Sequence, residues 1–226
     1  MNNESAEPAL RESKRVHDQA PSDQFAEFMR SGWAPSDLAD LEPLEVVTYA
    51  FARRQVLSQA FPGTRLVIPA GGYKVRSNDT DYQFRPHSAF AYYSGVQGAD
   101  ATADAVLVLE PTEGGHLTYL YMNPRSTRDT DAFYRDARYG ELWVGRRYTL
   151  AEAKSRYQID TRLVSDLADL LKDGRETLCV RGVDSIVDGA VKAHKREEEF
   201  CTYLSEHRLT KDEYELAEMQ KAVDAT

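Results

Sequence analysis

Three observations predict a three-layer α/β domain, a mixed β-sheet flanked by helices. Apolar residues recur at helical spacing in two long stretches, one opened by Val46 and one by Leu163. Between them, Ala105–Leu109 is apolar at every position, as in a strand covered on both faces. Short strand patterns and helical patterns then alternate to the end of the chain, separated by glycine and proline.

The elements follow in order. Prolines at 8, 21, 35 and 43 break the opening stretch, whose first 45 residues hold 10 acidic and 4 basic side chains. It reads as a solvated extension with one short helix, Ser22 to Arg30, whose Phe25, Phe28 and Met29 dock with Trp33 as a surface clasp. Val46, Val47, Ala50, Phe51, Leu57 and Phe61 form an amphipathic helix that stops at Pro62-Gly63. Leu66–Pro69 is a strand, and Ala89–Tyr93 and Ala105–Leu109 are two more. A turn at Pro111–Gly115 joins the last to Leu117–Met122 as a hairpin.

Helices dominate the second half. Asp160 is expected to cap a helix striped by Leu163, Val164, Leu167, Leu170 and Leu171 and closed by Gly174. Leu178–Val180 is a short strand. One long helix should then carry Val187, Ala190, Val191, His194, Cys201 and Leu204 on a common face. Thr210 to Glu213 spells a capping box, and the helix it opens has no glycine or proline to close it. Such a start without a stop suggests a chain cut inside or just after a linker helix; the other reading is a C-terminal helix that frays into solvent.

Composition narrows the function. Of 226 residues, 28 are Lys or Arg and 37 are Asp or Glu, a net charge of −9, which lacks the basic excess that phosphate binding needs. No nucleic-acid partner is therefore expected. No apolar run reaches the roughly 20 residues of a membrane span, and no signal peptide is visible, so neither a membrane partner nor secretion is expected. Cys179 and Cys201 read as reduced thiols in the cytoplasm.

The sequence carries no phosphate-cradling glycine loop, no G-x-S-x-G elbow, no H-E-x-x-H pair and no nucleophile–base spacing, so neither a catalytic nor a metal-ligating residue is assigned to it. Asp79-Thr80-Asp81 fails the calcium-loop pattern. Arg76, Asp79 and Arg85 read instead as an ion-pair network holding a loop. Two segments stand out for density: Arg76–Val96, with turn residues, charges and an aromatic run, and Glu141–Arg147, where Trp143 stands among charges beside a glycine.

These segments resemble the aminopeptidase P family, the Xaa-Pro aminopeptidases of the creatinase/prolidase-like metallopeptidases. The R-S-x-D-x-x-Y-x-F-R-x-x-S-x-F-x-Y-x-x-G run is met at Arg76, Ser77, Asp79, Tyr82, Phe84, Arg85, Ser88, Phe90, Tyr92 and Gly95. E-x-W-x-G-R-R is met at Glu141, Trp143, Gly145, Arg146 and Arg147, and R-x-x-K-D-x-x-E at Arg208, Lys211, Asp212 and Glu215.

The resemblance implies a creatinase-type N-terminal domain with a ribonuclease H-like motif. It divides the chain into an extension at 1–44, the domain at 45–206 and the start of a linker helix at 207–226. In the family a pita-bread catalytic domain follows that helix and binds two metal ions, usually manganese, through ligands that all lie downstream, so no ligand transfers to any residue here. The partners implied are that catalytic domain, short Xaa-Pro peptides and further subunits in a dimer or tetramer. Trp143, with Arg146 and Tyr92, is expected at a subunit interface or substrate cleft, the alternative for Trp143 being a core anchor. This chain alone is expected to have no peptidase activity. A free-standing binding or oligomerisation module is the other reading.

Overall fold

The computed structural model describes residues 22–34, 41–78 and 80–226; most of the expected N-terminal extension, and Asp79, lie outside them. The first elements are α1 (Asp23–Arg30), α2 (Val47–Ala60), β1 (Arg65–Pro69), β2 (Val75–Ser77), β3 (Thr80–Asp81), α3 (Ser88–Ser94), β4 (Val106–Thr112) and β5 (Gly115–Met122). After them come α4 (Ala132–Arg135), α5 (Glu141–Val144), α6 (Leu150–Tyr157), β6 (Asp160–Leu163), α7 (Leu167–Leu171), β7 (Thr177–Cys179), α8 (Ser185–Ala190), α9 (Glu197–Glu206) and α10 (Glu213–Asp224). They fall into two compact units. Of the described residues, one takes 22–34 with Asn123–Thr149, the other Leu41–Met122 with Leu150–Thr226.

The larger unit holds a five-stranded mixed sheet in the order β6-β5-β4-β1-β7. β4 pairs antiparallel with both β1 and β5, while β7 and β6 join the edges in parallel. Its central strands are buried on both faces, as the unbroken apolar run at 105–109 demands. Alternation assigns the faces. Val67, Val106, Val108, Tyr121 and Cys179 pack on Leu167 and Leu171 of α7 and Val187 of α8. Leu66, Ile68, Leu107, Leu109, Leu120 and Leu178 point the other way, towards the side contacted by α2, α3 and α9. Phe61 closes this layer against Phe200 and Tyr203, ring centroids 5.3 and 5.4 Å apart. The expected three-layer architecture is present.

One charge sits inside it. Arg65 on β1 is fully buried, and its guanidinium takes Glu110 through Nε (2.6 Å) and Nη2 (3.0 Å), and Asp173 through Nη1 (2.9 Å) and Nη2 (2.6 Å). Nη1 also donates to the Leu170 carbonyl at 3.1 Å. Two forked pairs satisfy the whole group, the condition under which a buried cation is tolerated. They tie β1 to β4 and to the loop after α7.

Four local expectations are corrected. Ala89–Tyr93 is not a strand but the body of α3. His87 Nδ1 accepts from the Ala89 amide at 3.3 Å to start it, and Gly95 at φ 76° ends it. The glycine is required, because a Cβ there would lie 2.7 Å from Val46 Cγ1. Asp160 opens strand β6 rather than capping a helix, and helix follows only from Val164. The long helix after Asp184 is two, α8 and α9, with Val191 extended between them. The capping box is Asp212 with Glu215, two residues later than Thr210.

Acid should reach the Arg65 network only at low pH. The hydrogen bond from Arg65 holds the Asp173 carboxyl down from its ordinary 3.8 to about 2. A lowered folded value means stability that is complete above the unfolded value and lost as pH falls through the folded one. Asp173→Asn should therefore be less stable than the parent by a constant margin above pH 4. The margin should close between about pH 4 and 2, read as urea midpoints across that range.

Candidate functional site

Two arginines on α2 build the first site. Its buried face is Ala50, Arg53, Arg54, Leu57 and Ser58, while Phe51 is 57% exposed. The last turn of α3 leaves carbonyls without helical partners, and these arginines fill them. Arg53 Nη1 donates to the Tyr92 carbonyl (3.0 Å) and Arg54 Nη1 to that of Tyr93 (2.8 Å). Burial lowers Arg54 to about 10, which still leaves it charged at neutral pH.

Arg53 then reaches the terminal helix. Its Nε donates to Asp212 Oδ2 at 2.8 Å, Nη2 lies 2.6 Å from the same oxygen, and Glu215 Oε2 is 3.6 Å away. Asp212 meanwhile accepts from the Glu215 amide at 2.9 Å, and Glu215 accepts back from the Asp212 amide at 3.3 Å. The carboxylates that cap α10 are thus the ones that neutralise Arg53. Beneath them the guanidinium lies 4.1 Å from the Tyr92 ring centroid.

The turn before α10 is fixed by a tyrosine cage. Tyr92 OH donates to the His207 carbonyl (3.2 Å), and Tyr93 OH lies 2.8 Å from His207 Nδ1. Burial raises the Tyr93 hydroxyl, so it keeps its proton and donates. Burial, and then the charge of Arg53, lower His207, so it stays neutral and accepts. α10 itself contains no buried residue; besides Glu215, it meets the body through a ring contact of Tyr214 with Tyr49 at 5.5 Å and an ion pair of Lys221 with Glu45 at 3.8 Å. Its attachment is chiefly electrostatic.

A cleft of about 700 Å³ opens alongside, walled by the 83–88 loop, α3 and residues 208–215. Tyr92 lines it, yet is 9% exposed and engaged through hydroxyl and ring. Arg85 lines it too and is exposed. Arg76 is exposed on the β2–β3 hairpin, and no ion pair or side-chain hydrogen bond among the described residues involves Arg76 or Arg85.

The smaller unit contains the second cluster, and its motif splits by role. Glu141 is buried, accepts from the Arg147 amide at 3.1 Å and lies 3.6 Å from Arg128. Arg147 is buried and donates from Nη2 to the Asn123 carbonyl at 2.6 Å. Gly145 at φ 81° and ψ −174° turns the chain in a region that only glycine enters readily. Arg146 is exposed, and Trp143 is 62% exposed with its indole N–H donating to the Tyr134 carbonyl at 2.7 Å. Phe25 of α1 meets the Tyr134 ring edge-on at 6.5 Å, and Trp33 packs on Phe133 at 4.9 Å. Ala26 and Met29 form the buried side of α1, so Phe28, expected to dock, stays 72% exposed.

Arg53 and His207 carry the first site, and the sequence reading missed both. The signal was present at 50, 53, 54, 57 and 58, a helical stripe obscured because two of its members are arginine. Ser58 and His116 also form a pair no spacing revealed, Oγ to Nδ1 at 2.7 Å, with Nε2 donating to the Thr64 carbonyl at 2.8 Å. Ser58 is buried, and the pair ties α2 to the start of β5. Among the described residues, no group of three or more His, Cys, Asp and Glu side chains is placed to hold a metal ion. None of their helices is long and apolar enough to cross a membrane.

Residues 50–178 match the family model of the aminopeptidase P N-terminal domain. Xaa-Pro aminopeptidase 1 of Streptomyces coelicolor is 45% identical over 227 residues, covering 99% of this chain and 45% of that protein. Xaa-Pro aminopeptidase 2 of the same organism is 44% identical over 209 residues, covering 91% and 43%. The chain thus spans about half the length of the curated relatives it matches. Of solved structures, aminopeptidase P from E. coli with the inhibitor Pro-Leu superposes with TM-score 0.60 at 23% identity, covering 78% of this chain and 41% of that one. Proline aminopeptidase P II from Yersinia pestis gives 0.57 at 24%, covering 75% and 41%. Both are likenesses of fold.

Asp212→Asn keeps a capping side chain but removes the charge that faces Arg53. Hydrogen exchange of the amides in 213–224 should quicken by roughly tenfold, about 1.4 kcal/mol, with the β1 and β4 amides unchanged. Unaltered exchange in α10 would assign its attachment to Tyr214 and Tyr49 instead.

Proposed function

The chain belongs to the aminopeptidase P family through its N-terminal domain, and from that premise we propose that it is the non-catalytic N-terminal domain of a Xaa-Pro aminopeptidase. Such an enzyme removes the residue that precedes an N-terminal proline. The observation that carries the reading is that Xaa-Pro aminopeptidases align over 99% of this chain with only 45% of their own length. On this reading the bond-breaking chemistry, with two manganese ions, belongs to a catalytic half that follows α10. The donor set among the described residues does not fit a metal centre, so no step of metal chemistry falls to them.

The domain's own work is assembly and gating of the cleft. Support comes from two surfaces. Leu216, Met219 and Val223 form an exposed apolar stripe on α10, 55%, 55% and 68% accessible, which suits contact with further polypeptide. Trp143 and Arg146 are presented outward by a buried Glu141–Arg147 frame, a composition typical of contact hot spots. In a dimer or tetramer they would wall a neighbouring subunit's cleft and favour short peptides. Two free cysteines support a cytoplasmic location.

The test joins this chain to the catalytic half of the S. coelicolor relative. The chimera, loaded with manganese, should release the residue before proline, and the 226-residue chain alone should not. Trp143→Ala in the chimera should lower kcat/KM several-fold and leave the melting midpoint within about 2 °C, since an exposed side chain contributes little to the core. Metal-dependent cleavage by the short chain, absent from a mock purification, would overturn the proposal. So would a folded, metal-loaded chimera that cleaves nothing.

A further inference from the structure

The cleft beside α10 is basic in an acidic protein. The chain carries a net charge of −9, yet this cleft is lined by Arg53, Arg85, Arg208 and Lys211 against a single carboxylate, Glu215. Arg53 is answered by Asp212 and Glu215, and Lys211 lies 3.9 Å from Glu215. No carboxylate among the described residues answers Arg208 or Arg85. Arg208 Nη1 is in addition closed off from solvent and without a hydrogen-bond partner. Arg208 as a whole is only half-buried and lines the cleft, so its unanswered charge is open to an acceptor placed there.

The remaining walls describe that acceptor. Gln83 and Gln97 offer amides, which pair with peptide backbone. Phe84 and Tyr214 offer aromatic surface for aliphatic stems. A compact phosphate would use the guanidinium groups and leave these walls idle. A cleft of about 700 Å³ is also large for a simple anion and falls in the range of ligand pockets.

We infer that this cleft binds an extended peptide segment bearing carboxylate side chains, held by Arg208 and Arg85 and laid along Gln83, Gln97 and Phe84. Because residues 208 and 211 lead into α10, the segment also bridges that helix to the 83–88 loop. The inference is independent of any peptidase activity.

The probe is the blocked peptide acetyl-Ala-Glu-Glu-Glu-Ala-amide, titrated into the 226-residue chain and followed by backbone NMR shifts. Saturable shifts confined to 83–88, 91–98 and 208–215 are expected. They should weaken at least tenfold in Arg208→Ala, severalfold in Arg85→Ala, and with added salt. The Lys counterpart of the peptide should not bind. Arg85 is exposed, so its variant remains informative should Arg208→Ala unfold. Shifts elsewhere, no saturation, or equal binding by the Arg85 variant would overturn the assignment. Acetate or inorganic phosphate producing the same shifts at the same affinity would also overturn it, reducing the cleft to a simple anion site.

Discussion

Arg53 is the interaction on which the arrangement around α10 depends. Burying a guanidinium costs several kcal/mol unless its donors and charge are fully answered. Here the answer comes from two elements: α3, through the Tyr92 carbonyl and the Tyr92 ring, and the α10 cap, through its two carboxylates. Remove α10 and the arginine is left with a helix end but no counter-charge. The ion therefore makes docking of the helix a condition of a satisfied interior. Apolar burial contributes little, because no residue of α10 is fully buried and its half-buried aromatic is Tyr214 against Tyr49.

The smaller unit solves a related problem in reverse. Keeping a tryptophan exposed requires that the turn carrying it be rigid, since a mobile Trp143 would collapse onto any nearby apolar surface. Rigidity comes from groups hidden beneath it: Glu141 closing on the Arg147 amide, Arg147 on the Asn123 carbonyl, and a positive-φ glycine between them. Gly140 completes the frame. A Cβ there would meet three carbonyl oxygens of the 132–136 segment at 2.6 Å. The two adjacent arginines of this motif thus do opposite things, Arg147 joining Glu141 in the buried frame and Arg146 standing exposed.

The sheet was legible because burial on both faces imposes a local pattern. An unbroken apolar run such as 105–109 has few other uses, and β4 lies where it was expected. The misread elements share a cause. Ala89–Tyr93 has the aromatic content of a strand, but its ends, His87 and Gly95, are helix ends. There the cap signals outweighed propensity. Asp160–Leu163 looked like the first turn of a helix because its strand is an edge strand with mixed exposure, which leaves no clean period. Trp143 was visible as a candidate because tryptophan among charges is conspicuous. Arg53 was not, since an arginine on a buried helix face is indistinguishable in sequence from one on the solvent side. Its partner lies 159 residues away.

A helix held mainly by charges is held adjustably. If the contacts of Asp212 and Glu215 amount to about 3 kcal/mol, the undocked state is populated near 1%, and losing half of that raises it roughly tenfold. Any ligand that recognises only the docked form adds RT ln(1 + [L]/Kd) to the balance, about 2.7 kcal/mol at a hundredfold excess over Kd. Arg208 and Lys211 face the adjacent cleft from the turn that leads into α10. Occupation of the cleft and docking of the helix therefore draw on the same few side chains and must be thermodynamically linked. An apolar interface of ordinary size would have fixed the helix beyond the reach of so small a ligand; the ionic one leaves its position open to control.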